Sequence, residues 1–172
     1  MHQQQGDAMN SSEPEFNNAR EYSSLEEVMN TLLTANGKSF RELDKTGRAL
    51  TGGNKGSLGQ IIEESVLKYA INSDAEPDIR IGGTSYELKV TPLKHIKKGK
   101  QTSAKERLVI DIINYLALAD ETDFESSKMW DKARNIILVY YYDDRTDKKK
   151  ELRIDCRVLA SYLMAYEADD LV

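Results

Sequence analysis

Apolar positions recur at helical spacing early in the chain and change to strand spacing beyond its midpoint. Leu25, Val28, Met29, Leu32 and Leu33 follow Ser24-Leu25-Glu26-Glu27, whose serine and glutamate have capping-box spacing, so a helix is predicted there. Ser39-Phe40-Arg41-Glu42 repeats the signal and opens a short second helix. After a Gly-rich loop, Thr51 to Gly56, one face of an amphipathic helix over Leu58–Ala70 is written by Leu58, Ile61, Ile62, Val66 and Tyr69. Asp78 to Ile81, Gly82-Gly83 and Thr84 to Val90 then form a hairpin signal, two β-prone runs around a tight turn. Leu108 to Ile113 suits either a strand or a buried helix, because periodicity alone does not separate them. Ser127 to Arg134 reads as a short helix with basic residues at its C-terminal end.

Asn135 to Tyr142 is an unbroken apolar and aromatic run, the pattern of a strand buried on both faces, and its three tyrosines are assigned to core packing. A charged turn from Asp143 to Lys150, a strand at Leu152 to Ile154 and a final helix complete the expected order. Met1 to Tyr22 is polar and aperiodic and is expected to be a flexible arm ahead of one domain over residues 23–172. The sum is an α/β (mixed α+β) domain, a central mixed sheet flanked by helices. No apolar run is long enough for a membrane span and no signal-peptide order opens the chain, so no membrane partner is expected. One cysteine, Cys156, and two histidines leave no intrachain disulfide and no thiolate zinc site. A reducing cytoplasm is the expected location.

Charge sharpens this picture. The net charge is -5, which argues against coating nucleic acid through bulk charge. Yet Lys89, Lys94, Lys97, Lys98, Lys100, Lys105 and Arg107 crowd one segment against Glu106 alone. A sharply basic stretch in an acidic chain suits a local anionic partner, phosphate above all, or else a solvated lysine loop. Lys55, ahead of a Gly-rich turn into a helix, is either a second phosphate seat or an ordinary loop lysine.

Candidate chemistry lies just before that segment. On a strand from Thr84 to Val90, Tyr86, Leu88 and Val90 face the core while Glu87 and Lys89 share the other face, about 7 Å apart at Cα. Asp78, on the partner strand, is close enough to join them. Two converging carboxylates make a hard oxygen site suited to Mg²⁺, and the lysine can orient or deprotonate a water and stabilise charge on a phosphate. The competing reading is a cross-strand ion pair on an exposed face.

Pro77-Asp78, a spacer and Glu87-Leu88-Lys89 resemble the PD-(D/E)xK nuclease superfamily. Asn54 to Glu63, Glu76-Pro77-Asp78 and Tyr86 to Pro92 are similar to the MutH family of GATC-directed endonucleases. Ser103 to Val109 with Ile112-Ile113-Asn114-Tyr115 resembles its restriction branch rather than its mismatch-repair branch. The resemblance runs from about Gly37 to Tyr142 and implies a restriction-endonuclease-like fold. It implies that Asp78 and Glu87 are metal ligands, Lys89 is the catalytic lysine, and Lys132 is a second active-site lysine; without it Lys132 is a helix-end cation. It also implies that an acidic residue of the Leu58 helix faces the metal. Glu63, at the edge of the buried face, is preferred over Glu64.

The basic run, Lys94, Lys97, Lys98, Lys100, Lys105 and Arg107, would then hold DNA phosphates. The function implied is that of a type II restriction endonuclease domain cutting double-stranded DNA at GATC with Mg²⁺, for which Mn²⁺ can substitute, in a prokaryotic cytoplasm. Alternatives are a repair nicking enzyme of the same family and a catalytically silent DNA-binding or allosteric domain. In this family base reading comes largely from a region beyond the point where this chain stops, so a longer parent protein, with self-association open to it, is expected.

Overall fold

The computed structural model describes residues 21–47, 57–69, 78–96, 101–110, 123–146 and 152–167. Among the described residues six strands form one mixed sheet: β1 (Glu21–Tyr22), β2 (Ile79–Ile81), β3 (Thr84–Ile96), β4 (Gln101–Ala104), β5 (Asn135–Tyr142) and β6 (Val158–Ala165). The order is β1-β2-β3-β5-β6, with β4 added to β3. β1 and β2 are parallel, as are β3 and β5; the other pairs are antiparallel. Helices α1 (Leu25–Leu33), α2 (Phe40–Leu43), α3 (Ser57–Ile61) and α4 (Lys128–Ala133) flank it. This is the mixed α+β architecture expected. Among the described residues no helix is long and apolar enough to cross a membrane.

The local signals act as their chemistry predicts. Ser24 caps α1 by accepting from the Glu27 N–H, and Ser39 and Glu42 form a complete capping box at α2. Gly82 and Gly83 take φ of 54° and 84°, so β2 and β3 are joined by a two-residue turn that only residues without a Cβ enter freely. That turn places Ile81 opposite Thr84 and Ile79 opposite Tyr86.

β3 is the spine. Its middle pairs with β5 from Glu87 to Leu93, while β2 and β4 pair with its two ends. Along the edge between β2 and β4 no strand takes up the β3 backbone among the described residues. Pro92 sits at this gap, so its missing N–H removes no ladder bond, and its carbonyl accepts from the Lys105 N–H at 2.9 Å.

Side-chain alternation divides the sheet. Leu88, Ile137, Val139 and Tyr141 join Val28, Leu32, Phe40, Ile61 and Ile62 in the main core under α1 to α3. Phe40 meets Tyr141 edge-on at 5.2 Å. Ile136, Leu138 and Trp130 are buried apart from that cluster, on the α4 side. The unbroken burial of Ile136 to Val139 is the two-sided packing expected of β5.

Several expectations are corrected. The Leu58–Ala70 helix is α-helical only to Ile61, and Ile62–Val66 is a π-helix, closed by the Leu67 N–H on the Ile62 carbonyl at 2.9 Å. Leu152 to Ile154 is no strand; Arg153–Asp155 form a 3₁₀ turn. The final helix is instead strand β6, antiparallel to β5. Leu159, Ala160, Leu163, Met164 and Ala165 favour helix, but the open β5 edge offers ladder hydrogen bonds that local propensity cannot match. β4 was not predicted, because Gln101 to Ala104 carries little β signal and gains its strand from pairing with β3.

Leu108 to Ile110 are neither strand nor helix, and the rest of that run lies outside the described residues. Tyr22 belongs to the sheet rather than to an arm, and its hydroxyl donates to the Leu67 carbonyl. The arm's residues 1–20, the Thr51 to Gly56 loop and residues 168–172 lie outside the described residues. Of the three tyrosines only Tyr141 is in the core; Tyr140 lies against Tyr162 and Tyr142 stacks on His95.

Ile137 is fully buried beneath the α1–α3 layer. Ile137→Ala is expected to lower unfolding free energy by about 2–5 kcal/mol in urea denaturation.

Candidate active site

Alternation along β3 sends Leu88 and Val90 toward the core and leaves Glu87 and Lys89 on the α4 face, beside Ile136 and Leu138 of β5. Glu87 is only 5% exposed. The Lys89 ammonium donates to Glu87 Oε1 at 2.5 Å. Asp78 directly precedes β2, and its Oδ2 accepts from the Leu88 N–H at 2.8 Å. This carboxylate therefore occupies the position on the β3 edge where a longer β2 would have continued the ladder. The hairpin thus sets one carboxylate just ahead of β2 and the other on β3.

Electrostatics tie the group together. Burial pushes the Glu87 carboxyl above its ordinary range, the nearby Asp78 charge pushes it further, and Lys89 and Lys132 oppose both. Lys132 reaches this field from the last turn of α4, whose Ser127 cap accepts from the Trp130 N–H at 3.0 Å. The structure therefore brings together Asp78, Glu87, Lys89 and Lys132.

These residues fit a hard divalent cation. Glu87 Oε2 is buried and has no hydrogen-bond partner, a costly arrangement that a bound cation would relieve. Among the described residues no group of three or more acidic, histidine or cysteine side chains is gathered in metal-binding geometry. A pair of carboxylates suits Mg²⁺, which commonly keeps several waters and takes substrate phosphate oxygens as further ligands.

The sequence profile of the family described as DNA mismatch repair enzyme MutH matches residues 67–171. This chain belongs to the MutH family. It is also 40% identical, over 120 residues, to a protein of Staphylococcus aureus named type II restriction enzyme Sau3AI. That match covers 70% of this chain and 23% of the relative, so the chain spans about a quarter of the relative's length. The residues matched by the MutH profile include Asp78, Glu87, Lys89 and Lys132 and leave out Lys55 and Glu63.

The other predicted residues of this MutH-family chain are placed less uniformly. Glu63 and Glu64 lie in the π-helix, with Glu64 buried and Glu63 half-buried. A methyl group placed on Gly59 would lie 3.9 Å from Glu63 Oε1, so that side chain turns back along its own helix. Lys94 is exposed on β3 and Arg107 is exposed after β4. Lys105, expected to hold phosphate, is instead engaged within the fold. Its ammonium lies 3.0 Å from Asp143 Oδ1 and also donates to the Asp143 carbonyl. Lys55, Lys97, Lys98 and Lys100 lie outside the described residues.

Sequence reasoning missed the cluster around Asp143, which follows β5 and has no exposed side-chain surface. Arg145 Nε donates to Asp143 Oδ1 at 2.7 Å, and Arg153 Nε stands 3.9 Å from Oδ2. Arg145 is only two residues away, but Lys105 and Arg153 come from separate segments, so no spacing rule could have found the cluster. Only the position of Asp143, next to a fully buried run, hinted that it would need partners.

Two outcomes are expected. The cations around Asp143 hold its carboxyl well below the ordinary range, so its stabilisation is present above about pH 4 and is lost as pH falls toward the folded-state value. Asp143→Asn should cost about 3–5 kcal/mol at pH 7 and only about 1 kcal/mol less at pH 3, because most of the loss comes at still lower pH, compared by urea unfolding at both values. At ten times its dissociation constant, Mg²⁺ should add about 1.4 kcal/mol to stability, raising the melting temperature by about 3–6 °C. Asp78→Asn and Glu87→Gln should abolish that rise in a thermal melt.

Proposed function

We propose that this MutH-family domain is a metal-dependent endonuclease that hydrolyses phosphodiester bonds of double-stranded DNA, in the manner of a type II restriction enzyme acting at GATC. The observation that carries this reading is the unpartnered, buried Glu87 Oε2 beside Asp78, with Lys89 held against the same carboxylate. Membership of the family and the likeness to a relative named as a restriction enzyme support it.

Asp78 and Glu87 would hold Mg²⁺, with Mn²⁺ able to take its place. The ion, when bound, would polarise the scissile phosphate and lower the pKa of a coordinated water. The side chains supply the rest. Glu87 fixes the Lys89 ammonium through a short charged hydrogen bond, so the amine is oriented before substrate arrives. Lys89 then holds the attacking water by a hydrogen bond and stabilises charge gathering on the phosphate oxygens. Lys132 adds a second positive charge to the same field. The nearly dry setting of Glu87 strengthens each of these interactions. Glu63 remains a candidate for completing the acidic set from α3's π-helical continuation, by way of a side-chain turn away from Gly59. Lys94 and Arg107 are the described candidates for phosphate contacts outside the reacting group, with Lys55, Lys97, Lys98 and Lys100 as further ones.

A repair-type nicking activity is the second reading, favoured by the description of the matched family as a mismatch repair enzyme. Incubation of supercoiled plasmid bearing GATC with Mg²⁺ separates the two. Linear product is expected, persistent open circles indicate nicking, and a plasmid without GATC should stay intact. Asp78→Ala, Glu87→Ala and Lys89→Ala should each slow cleavage by about 10²-fold or more while largely sparing DNA binding. Full activity in any of the three removes that residue from the site. Binding with no cleavage in Mg²⁺ or Mn²⁺ identifies a silent DNA-binding domain.

A further inference from the structure

A cleft of about 350 Å³ opens where the β3 edge is uncovered between β2 and β4, and Lys89, Thr91, Glu106, Arg107 and Arg153 are among its lining residues. Resting on the DNA-cleaving reading above, we propose that this cleft receives a DNA backbone phosphate next to the scissile one. Arg107 and Arg153 are its contacts, and Glu106 is an internal anion that occupies Arg153 until the phosphate displaces it.

Three features of the cleft carry this. First, it is continuous with the reacting group, since Lys89 both lines it and pairs with Glu87. A strand whose scissile phosphate reached Lys89 would lay a neighbouring phosphate along the opposite wall. Second, that wall is fixed. The Lys105 N–H is bonded to the Pro92 carbonyl at 2.9 Å and its ammonium is anchored on Asp143, so the two residues that follow, Glu106 and Arg107, are pinned beside β3. Lys105 thus serves the DNA by positioning rather than by contact.

Third, Arg153 is the least committed cation of the Asp143 cluster. Lys105 at 3.0 Å and Arg145 at 2.7 Å already satisfy that carboxylate, and Arg153 stands at 3.9 Å. Its closer partner is Glu106 Oε1 at 3.3 Å, with both side chains partly exposed. Such a pair is weak in water. Glu106 gives Arg153 a single bond at 3.3 Å, whereas a backbone phosphate, equal to it in charge and held in place by the bound duplex, presents two oxygens to the guanidinium fork, so exchange of Glu106 for phosphate is favourable.

The test measures binding of a short GATC-bearing duplex by the whole chain in EDTA, where cleavage cannot interfere, across a salt series. Arg153→Gln and Arg107→Gln should each weaken binding about tenfold. Each should also flatten the slope of log affinity against log salt by about 0.9. Glu106→Gln should tighten binding several-fold, a gain that misfolding cannot produce. In the Arg153→Gln background the Glu106→Gln gain should vanish.

An unchanged slope in Arg153→Gln overturns the proposal. So does a Glu106→Gln gain that persists without Arg153, because it would then report net charge alone. If Arg153→Gln fails to fold, a Glu106→Gln protein that binds no more tightly than the parent overturns it equally. Cleavage is scored separately in Mg²⁺. A chain that binds as described but never cuts counts against the endonuclease reading and leaves the cleft assignment standing.

Discussion

A carboxylate held almost out of water, with one oxygen left unpaired, is the constraint around which this fold is arranged. Burying Glu87 is expensive, and Asp78 beside it adds repulsion. Lys89 and Lys132 offset part of that cost but leave Oε2 unsatisfied. A protein tolerates such a deficit where something binds, because the same deficit becomes affinity for a cation. The surrounding structure has to be rigid enough to impose it.

That rigidity comes from β3. Its middle is paired with β5, its first residues with β2 and its last with β4. Leu88 and Val90 anchor its inner face in the main core, so Glu87 and Lys89 cannot rotate away without breaking that packing. The carboxylate of Asp78 takes the backbone N–H that β2 is too short to reach. One acidic side chain thereby completes the sheet edge and presents charge to Glu87 at the same time. The short β2 is what leaves room for this.

The second organising element is the Asp143 cluster at the far end of β5. Its carboxylate collects cations from the segment after β4, from its own turn and from the 3₁₀ turn before β6. A buried charge of this kind adds little net stability compared with apolar packing, but it specifies which segments lie together. Here it draws the end of the basic segment against the open edge of β3. Lys105, which its basic segment suggested as a phosphate contact, is held by Asp143 in that role.

What the chain determined locally is what depends on neighbours in sequence: the Ser24 and Ser39 caps, the Gly82-Gly83 turn, the buried run of β5, and the alternation that pairs Glu87 with Lys89. From these the hairpin and most of the candidate site were legible, because a tight turn fixes register and register fixes which side chains meet. The tertiary structure decided the rest. Residues 158–165 are rich in helix-forming side chains and became β6 because the β5 edge supplied hydrogen bonds that a helix at that place would leave unmade. The π-turn in the Glu63 helix, the strand at Gln101–Ala104 and the withdrawal of Lys105 into the fold likewise depend on contacts between distant segments. A sequence window carries propensity and periodicity, whereas the depth of Glu87 and the company of Asp143 follow only from how the layers close over them.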